Sequence, residues 1–321
     1  MKFRIGLLAI LSLILILRGS EAFAQDESKR SPAITTGTLS PLKMRSIGPA
    51  LMSGRIADIA IDAKQPNTWY VAAGSGNLWK TINAGTTWKP IFERYGSYSI
   101  GCIALDPRDR DTLWVGTGEN VGGRHVGYGD GIYVSHDGGQ TFVNKGLKNS
   151  EHLSKIIIHP EDSQTLFVAS QGPLWSSGGE RGLYKSTDGG ATWRAVLTRG
   201  PWTGVTDVVM DPKNPNILFA ATHQRHRTVY GLINGGPESG IHKSVDGGET
   251  WVELKSGLPG ADKGKMSIAI SPQKSNVVYA AIELAGPTGC LLYTSPRPRD
   301  QRGSGVAGCG GEKKGGGGGG G

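Results

Sequence analysis

The chain has 321 residues, with 35 Lys and Arg against 27 Asp and Glu, 51 Gly, 17 Pro and 3 Cys. Its 37% hydrophobic and 19% charged content excludes both a disordered polyelectrolyte and a polytopic membrane protein, and three cysteines cannot staple a disulfide framework. Of the net charge of +8, residues 1–24 hold +2 and residues 290–321 hold +3, leaving a nearly neutral body at 25–289 with no basic stripe for nucleic acid.

Met1–Arg4 is a short positive start, followed by an apolar run from Ile5 to Leu17 and the small-residue site Ala22-Phe23-Ala24. The run is too short to span a bilayer as a helix, so residues 1–24 are expected to be a cleaved signal peptide. Gln25 would then begin the mature chain, with residues 25–40 as a polar lead. A secreted or periplasmic location, with no membrane span after cleavage, is the corresponding expectation.

From residue 41 onward the sequence repeats. One phrase occurs four times: Thr81-x-Asn83-x-Gly85-x-Thr87-Trp88, Ser135-x-Asp137-x-Gly139-x-Thr141-Phe142, Ser186-x-Asp188-x-Gly190-x-Thr192-Trp193 and Ser244-x-Asp246-x-Gly248-x-Thr250-Trp251. A second mark keeps the same beat, an apolar run ending at Asp106-Pro107, His159-Pro160, Asp211-Pro212 and Ser271-Pro272. Each unit reads as four short strands. In the third they are expected at Lys155–Ile158, Thr165–Ser170, Gly182–Lys185 and Thr192–Leu197, separated by Gly, Pro, Asp or Ser breaks. A fifth unit begins with strands at Met266–Ile270 and Val277–Ile282. The Asp side chain can bind backbone N–H groups of the turn, the glycines accept positive φ, and the aromatic packs between neighbouring sheets. These residues are therefore read as structural.

The phrase resembles the Asp-box, or bacterial neuraminidase repeat, of sortilin-like and glycosidase-like propellers, over about residues 41–289. The resemblance implies an all-β fold, a β-propeller of four-stranded blades. About four and a half are present, a piece of a larger propeller with seven or more blades or of a double one. It implies little about function, because Asp-boxes occur in sialidases, xyloglucan-degrading enzymes, photosystem assembly factors and sorting receptors. The first copy departs from the pattern, with Asn83-Ala84 in place of Asp-Gly; Asn can still make the turn bond.

Blade topology predicts which loops cooperate. The X-Pro turns and Asp-boxes lie on one face, and the loops joining strands two to three, with the inter-blade loops, lie on the other. The second blade's loop holds Glu119, Arg124, His125, Tyr128 and Asp130; the third holds Gln171, Trp175, Glu180 and Arg181. The fourth holds His223, Arg225, His226, Arg227 and Tyr230, and inter-blade loops add Tyr95, Tyr98, His152, Trp202 and Asp207. Aromatic rings with Arg, His and carboxylates suit a polar ligand, so the expected function is non-catalytic binding of a protein or glycan on this face.

The alternative is a glycoside hydrolase, which needs paired carboxylates. Its acids would be the weak candidates Glu119 and Asp207, or would lie beyond Gly289. The xyloglucan-degrading family has a catalytic Asp in the first blade's two-to-three loop, where Gly74-Ser75-Gly76-Asn77 offers none. Arg55-Ile56-Ala57 only faintly resembles the Arg-Ile-Pro start of sialidases. His223 and His226 lack a nearby Cys or carboxylate, so no metal is expected, and no phosphate loop or nucleophile elbow points to a cofactor or serine hydrolase.

Seven glycines close the chain, and Cys290–Asp300 resembles a translated transposase-type sequencing adapter. Residues 290–321 are accordingly expected to be disordered read artefact, with Cys102 the one genuine thiol and the natural sequence running on from near Gly289.

Overall fold

A computed structural model describes residues 54–285. The expected signal peptide (1–24), polar lead (25–40) and C-terminal segment (290–321) lie outside the described residues. Within them the chain is all-β, as the repeat predicts: four four-stranded antiparallel sheets, a final two-stranded sheet, and a small hairpin. The first sheet is β1 (Ile56–Ile61), β2 (Trp69–Ala73), β3 (Asn77–Thr81) and β4 (Lys89–Pro90). The second is β5 (Ile100–Leu105), β6 (Leu113–Thr117), β7 (Ile132–Ser135) and β8 (Val143–Asn144). The third is β9 (Leu153–His159), β10 (Asp162–Ser170), β11 (Gly182–Ser186) and β12 (Arg194–Leu197), each strand within a few residues of its expected bounds.

The fourth sheet is β13 (Thr203–Asp211), β14 (Asn214–Gln224), β17 (Gly240–Ser244) and β18 (Val252–Leu254). Between β14 and β17 the chain folds the extra hairpin β15 (His226–Arg227) and β16 (Leu232–Ile233), in a stretch expected to be plain loop. β19 (Lys263–Ile270) and β20 (Val278–Leu284) form the fifth, two-stranded sheet. First strands β1, β5, β9, β13 and β19 neighbour one another in turn, as the innermost strands of successive blades do.

The core is four apolar clusters, one between each pair of neighbouring sheets. Asp-box aromatics supply part of the first three seams by packing back onto the preceding blade. Phe142 meets Phe92 edge-on at 4.9 Å, and Trp193 meets Trp114 edge-on at 6.5 Å while its Nε1 donates to Lys145 O at 2.8 Å. Trp251 packs against the cluster around Phe167. Such edge-to-face pairs add ~0.5–1.5 kcal/mol beyond the area they bury. Among the described residues no sheet covers the far face of β1, and Ile59 is 52% exposed where its counterpart on β5, Ile103, is 6% exposed.

Each complete Asp-box hairpin is tied by the same bonds. Asp188 Oδ1 accepts from Ser186 Oγ at 2.7 Å and Thr192 N at 2.9 Å, and Oδ2 accepts from Thr192 Oγ1 at 2.6 Å. Those donors, the Thr192 hydroxyl first, hold the carboxyl down at about 2. Asp137 and Asp246 repeat the pattern. Asn83 keeps the turn as expected, with Thr87 N donating to Oδ1 at 2.9 Å. The last bond simply reverses: Asn83 Nδ2 donates to Thr87 Oγ1 at 2.9 Å.

Candidate functional site on the blade axis

The site begins at Gly118. Its φ of 85° turns the chain sharply as β6 ends, and a Cβ there would lie 1.7 Å from Glu151 O. The loop that follows closes at its neck, with Glu119 N donating to Gly127 O at 3.3 Å and to Ser99 Oγ at 3.1 Å. Its first residues reach the other blades. Arg55 Nε donates to Glu119 Oε1 at 2.5 Å, Gln171 Nε2 donates to Asn120 Oδ1, Lys265 Nζ donates to Asn120 O at 2.8 Å, and Arg225 Nη1 donates to Val121 O at 3.3 Å. Glu119–Val121 is thus a crosspiece bonded to every other sheet.

Beneath it lies a cavity of about 450 Å³, lined by this crosspiece and by the innermost strands. Each of those strands carries a bulge near its start. Strand register puts Asp58, Cys102, Lys155, Asp207 and Ser267 at equivalent positions, opposite Ala72, Gly116, Ala169, Ala221 and Ala281. Bulges re-aim side chains, and two of these became inter-blade clamps. Asp58 Oδ2 accepts from Ile103 N at 3.1 Å; Asp207 Oδ2 accepts from Ile268 N at 2.8 Å and Ser267 Oγ at 3.0 Å.

Charge in the cavity is balanced: Arg55, Lys155 and Lys265 against Asp58, Glu119 and Asp207. Burial, with Arg225 nearby, pushes the Lys265 ammonium down to about 8. Arg225 is 1% exposed; burial and then Arg181 lower its guanidinium to about 9. Burial and the Arg225 charge keep His152 and His223 neutral, each down at about 3. Glu119 is 2% exposed, and its Oε2 has no hydrogen-bond partner among the described residues.

Several residues expected to line an open depression are instead interior. Arg181 is a staple for its own loop, donating to Gln171 O and Ser176 O at 2.7 Å, to Gly178 O at 2.7 Å, and to Pro173 O. It is 6% exposed because a guanidinium can satisfy several carbonyls that a tight loop would otherwise bury unpaired. His223 is 2% exposed and belongs to β14, not to a loop. Arg225, also interior, bridges to Val121 O and Gly172 O. Asp207 lies on β13 rather than in an inter-blade loop, because the strand starts at Thr203.

The accessible set is smaller. Trp202 stacks on His226 with ring centroids 3.7 Å apart, and the Arg181 guanidinium lies 5.8 Å from the Trp202 ring. Trp175 and Arg227 are half-buried, and Arg124 reaches the hairpin through Val229 O at 3.0 Å. Tyr230, at the hairpin tip, is 96% exposed, and Tyr128 is 58% exposed. His125 is exposed and holds Arg55 Nη1 at 2.8 Å. Arg55, Asn120 and Lys265 were not singled out as site residues. Their signal was positional only, Arg55 just before β1 and Lys265 near the start of β19.

Among the described residues no group of His, Cys, Asp and Glu could hold a metal, and no helix is long and apolar enough to cross a membrane.

The Sortilin-Vps10 family model (sortilin, neurotensin receptor 3) matches residues 130–287, a little under half of the chain. The four blades make the chain an Asp-box β-propeller, similar over that stretch to the sortilin family. Among curated relatives, xyloglucanase Xgh74A of Acetivibrio thermocellus is 24% identical over 268 residues, covering 73% of this chain and 29% of the relative. A xyloglucanase of Hypocrea jecorina is 27% identical over 236 residues, covering 62% and 26%. Among solved structures, an ancestral GH74 enzyme superposes with a TM-score of 0.57 at 19% identity, over 76% of this chain and 30% of that one. The GH74 xyloglucanase of Xanthomonas campestris gives 0.51 at 19% identity, over 68% and 34%. The fold is therefore shared with glycoside hydrolases, while the chain spans under a third of the length of these curated relatives.

Proposed function

We propose that the chain is an exported, non-catalytic propeller that binds a glycan on the face carrying the two-to-three loops. One observation carries this reading: the carboxylates a hydrolase would use are committed to structural bonds. Glu119 is paired with Arg55, and Asp207 clamps two sheets. Asp130 accepts from Tyr133 Oη at 2.5 Å, and Glu180 accepts from Asn149 N at 2.7 Å. The Trp202–His226 stack, Tyr230 and Tyr128 meanwhile present ring faces and edges to solvent, the surface on which sugar rings stack. Similarity to xyloglucanases makes xyloglucan the first ligand to try. The test is affinity electrophoresis in xyloglucan gels: retardation is expected, and loss of it in Trp202→Ala and Tyr230→Ala. Absence of retardation in the unaltered chain overturns the reading. Export is tested by N-terminal sequencing of secreted material, expected to begin at Gln25.

A second reading, a glycoside hydrolase, is favoured by the free Oε2 of Glu119 in the same cavity as Asp207. It predicts release of reducing ends from xyloglucan, abolished in Glu119→Gln and Asp207→Asn. The binding reading predicts none.

A further inference from the structure

The three complete Asp-box seams can be compared position by position, and one of them is electrically unfinished. The residue before each box and the residue after its aromatic are cross-strand partners: Lys80 with Lys89, Val134 with Val143, Lys185 with Arg194. The position after the second glycine of the next blade's box is Gln140, Ala191 and Glu249 respectively. At the third seam Glu249 joins both cations, with Lys185 Nζ at 2.6 Å and Arg194 Nη2 at 2.6 Å. At the second, the corresponding residues are two valines and an alanine. At the first, two lysines meet a glutamine.

Like charges directly opposite each other on a sheet repel, and the third seam resolves this with a carboxylate. The first seam has the same scaffold with no carboxylate at that position: among the described residues none lies within 4.0 Å of either lysine, and Asp111 and Asp137 act on Lys80 only from farther off. Lys80 Nζ donates to Gly138 O at 2.7 Å just as Lys185 Nζ donates to Gly247 O at 2.8 Å. Among the described residues neither Lys89 nor Arg94 has a carboxylate within 4.0 Å. Lys80, Lys89, Arg94 and Gln140 line a groove of about 690 Å³, beside Trp88, which is 41% exposed. Glu93 lines it too and is itself engaged.

We propose that this groove, on the Asp-box side of the first two blades, binds an acidic polysaccharide, with a uronate carboxylate standing where Glu249 stands in the third seam. Backbone recognition of a peptide strand is blocked. The edge strand β4 is two residues long and one of them is Pro90, which has no N–H to add to a ladder. Recognition must then come from side chains, and an indole ring beside two ammonium groups and a guanidinium fits a sugar ring bearing a carboxylate. The groove runs from the Asp-box turns to Glu93, Arg94 and Tyr95 of the first inter-blade loop, shares no residue with the two-to-three loops, and does not depend on binding there.

The test uses the full chain and titrates oligogalacturonate, its methyl ester and polyglutamate by calorimetry. Oligogalacturonate is expected to bind and the ester not. Lys89→Ala should weaken binding ~10-fold or more, the scale of one lost charge-assisted bond, while Tyr230→Ala should leave it unchanged. Gln140→Glu moves two readouts in opposite directions: it supplies the carboxylate internally, so Tm rises and oligogalacturonate binding is lost. Equal binding of the methyl ester, equal or tighter binding of polyglutamate, or a Gln140→Glu chain that binds as before overturns the proposal.

Discussion

Asn120 and Lys265 lie 145 residues apart and are joined by a 2.8 Å hydrogen bond from the Lys265 ammonium to the Asn120 carbonyl. The bond ties a loop of the second blade to the innermost strand of the fifth sheet. With Arg55, Gln171 and Arg225 on the same three-residue crosspiece, it roofs the axial cavity. Polar side chains that loop position alone would assign to a ligand are used here to hold blades in register.

Asp207 shows what such a clamp contributes. Asp207→Ala removes both bonds to the fifth sheet, from Ile268 N and Ser267 Oγ. A loss of ~1–3 kcal/mol is expected, the usual range for leaving a half-buried donor unmet, and is read as a lower urea midpoint. Hydrogen exchange should rise in β19 and stay unchanged in β5.

Arg181 secures one loop by itself. Arg181→Ala orphans carbonyls of Gln171, Pro173, Ser176 and Gly178 together. Destabilisation of ~3 kcal/mol or more is expected because several acceptors, those of Gln171 and Pro173 buried, lose their donor at once. Arg181→Lys should rescue little of it, since one ammonium cannot reproduce the fork.

The first Asp-box carries a removable strain. Ala84 has φ 53°, where the equivalent Gly138 has φ 69° at no steric penalty. Ala84→Gly should therefore stabilise by ~1 kcal/mol, seen as a higher Tm. Gly138→Ala should do the reverse by a similar amount.

His152 and His223 set an acid limit. Both are held neutral down to about 3, by burial and then by Arg225, against 6.5 when exposed. The unfolded chain takes up protons below pH 6.5 while the folded chain does not. Their contribution is thus fully present above that pH and lost as pH falls towards 3. The slope is ~1.4 kcal/mol per pH unit per histidine. Urea denaturation between pH 7 and 4 checks this, and His223→Asn should flatten the curve by one histidine's share.

Much of the fold was readable because a repeat states its own boundaries. The Asp-box spacing located the β3–β4 type hairpins, and the X-Pro turns located the strand pairs before them, within a few residues. The candidate site was readable only in part. Glu119, Trp202, His226 and Tyr230 were identified as chemistry on one face, but whether each meets water was not. His223 and Arg225 sit two residues apart beside the exposed hairpin and are nonetheless interior. β14 is buried continuously from Leu218 to His223 with no alternation of faces, so no pattern distinguished these two from the exposed residues that follow.

By itself the sequence determined the blades, since each depends on local bonds among residues at most four apart in the Asp-box and on strand alternation. Only the tertiary structure decided which polar groups are free. That depends on contacts such as Asn120 to Lys265 or Glu249 to Lys185, which bring together residues 145 and 64 apart. Pairing and burial at that range follow from how successive sheets stack, and no local pattern encodes the distance between two side chains on different blades.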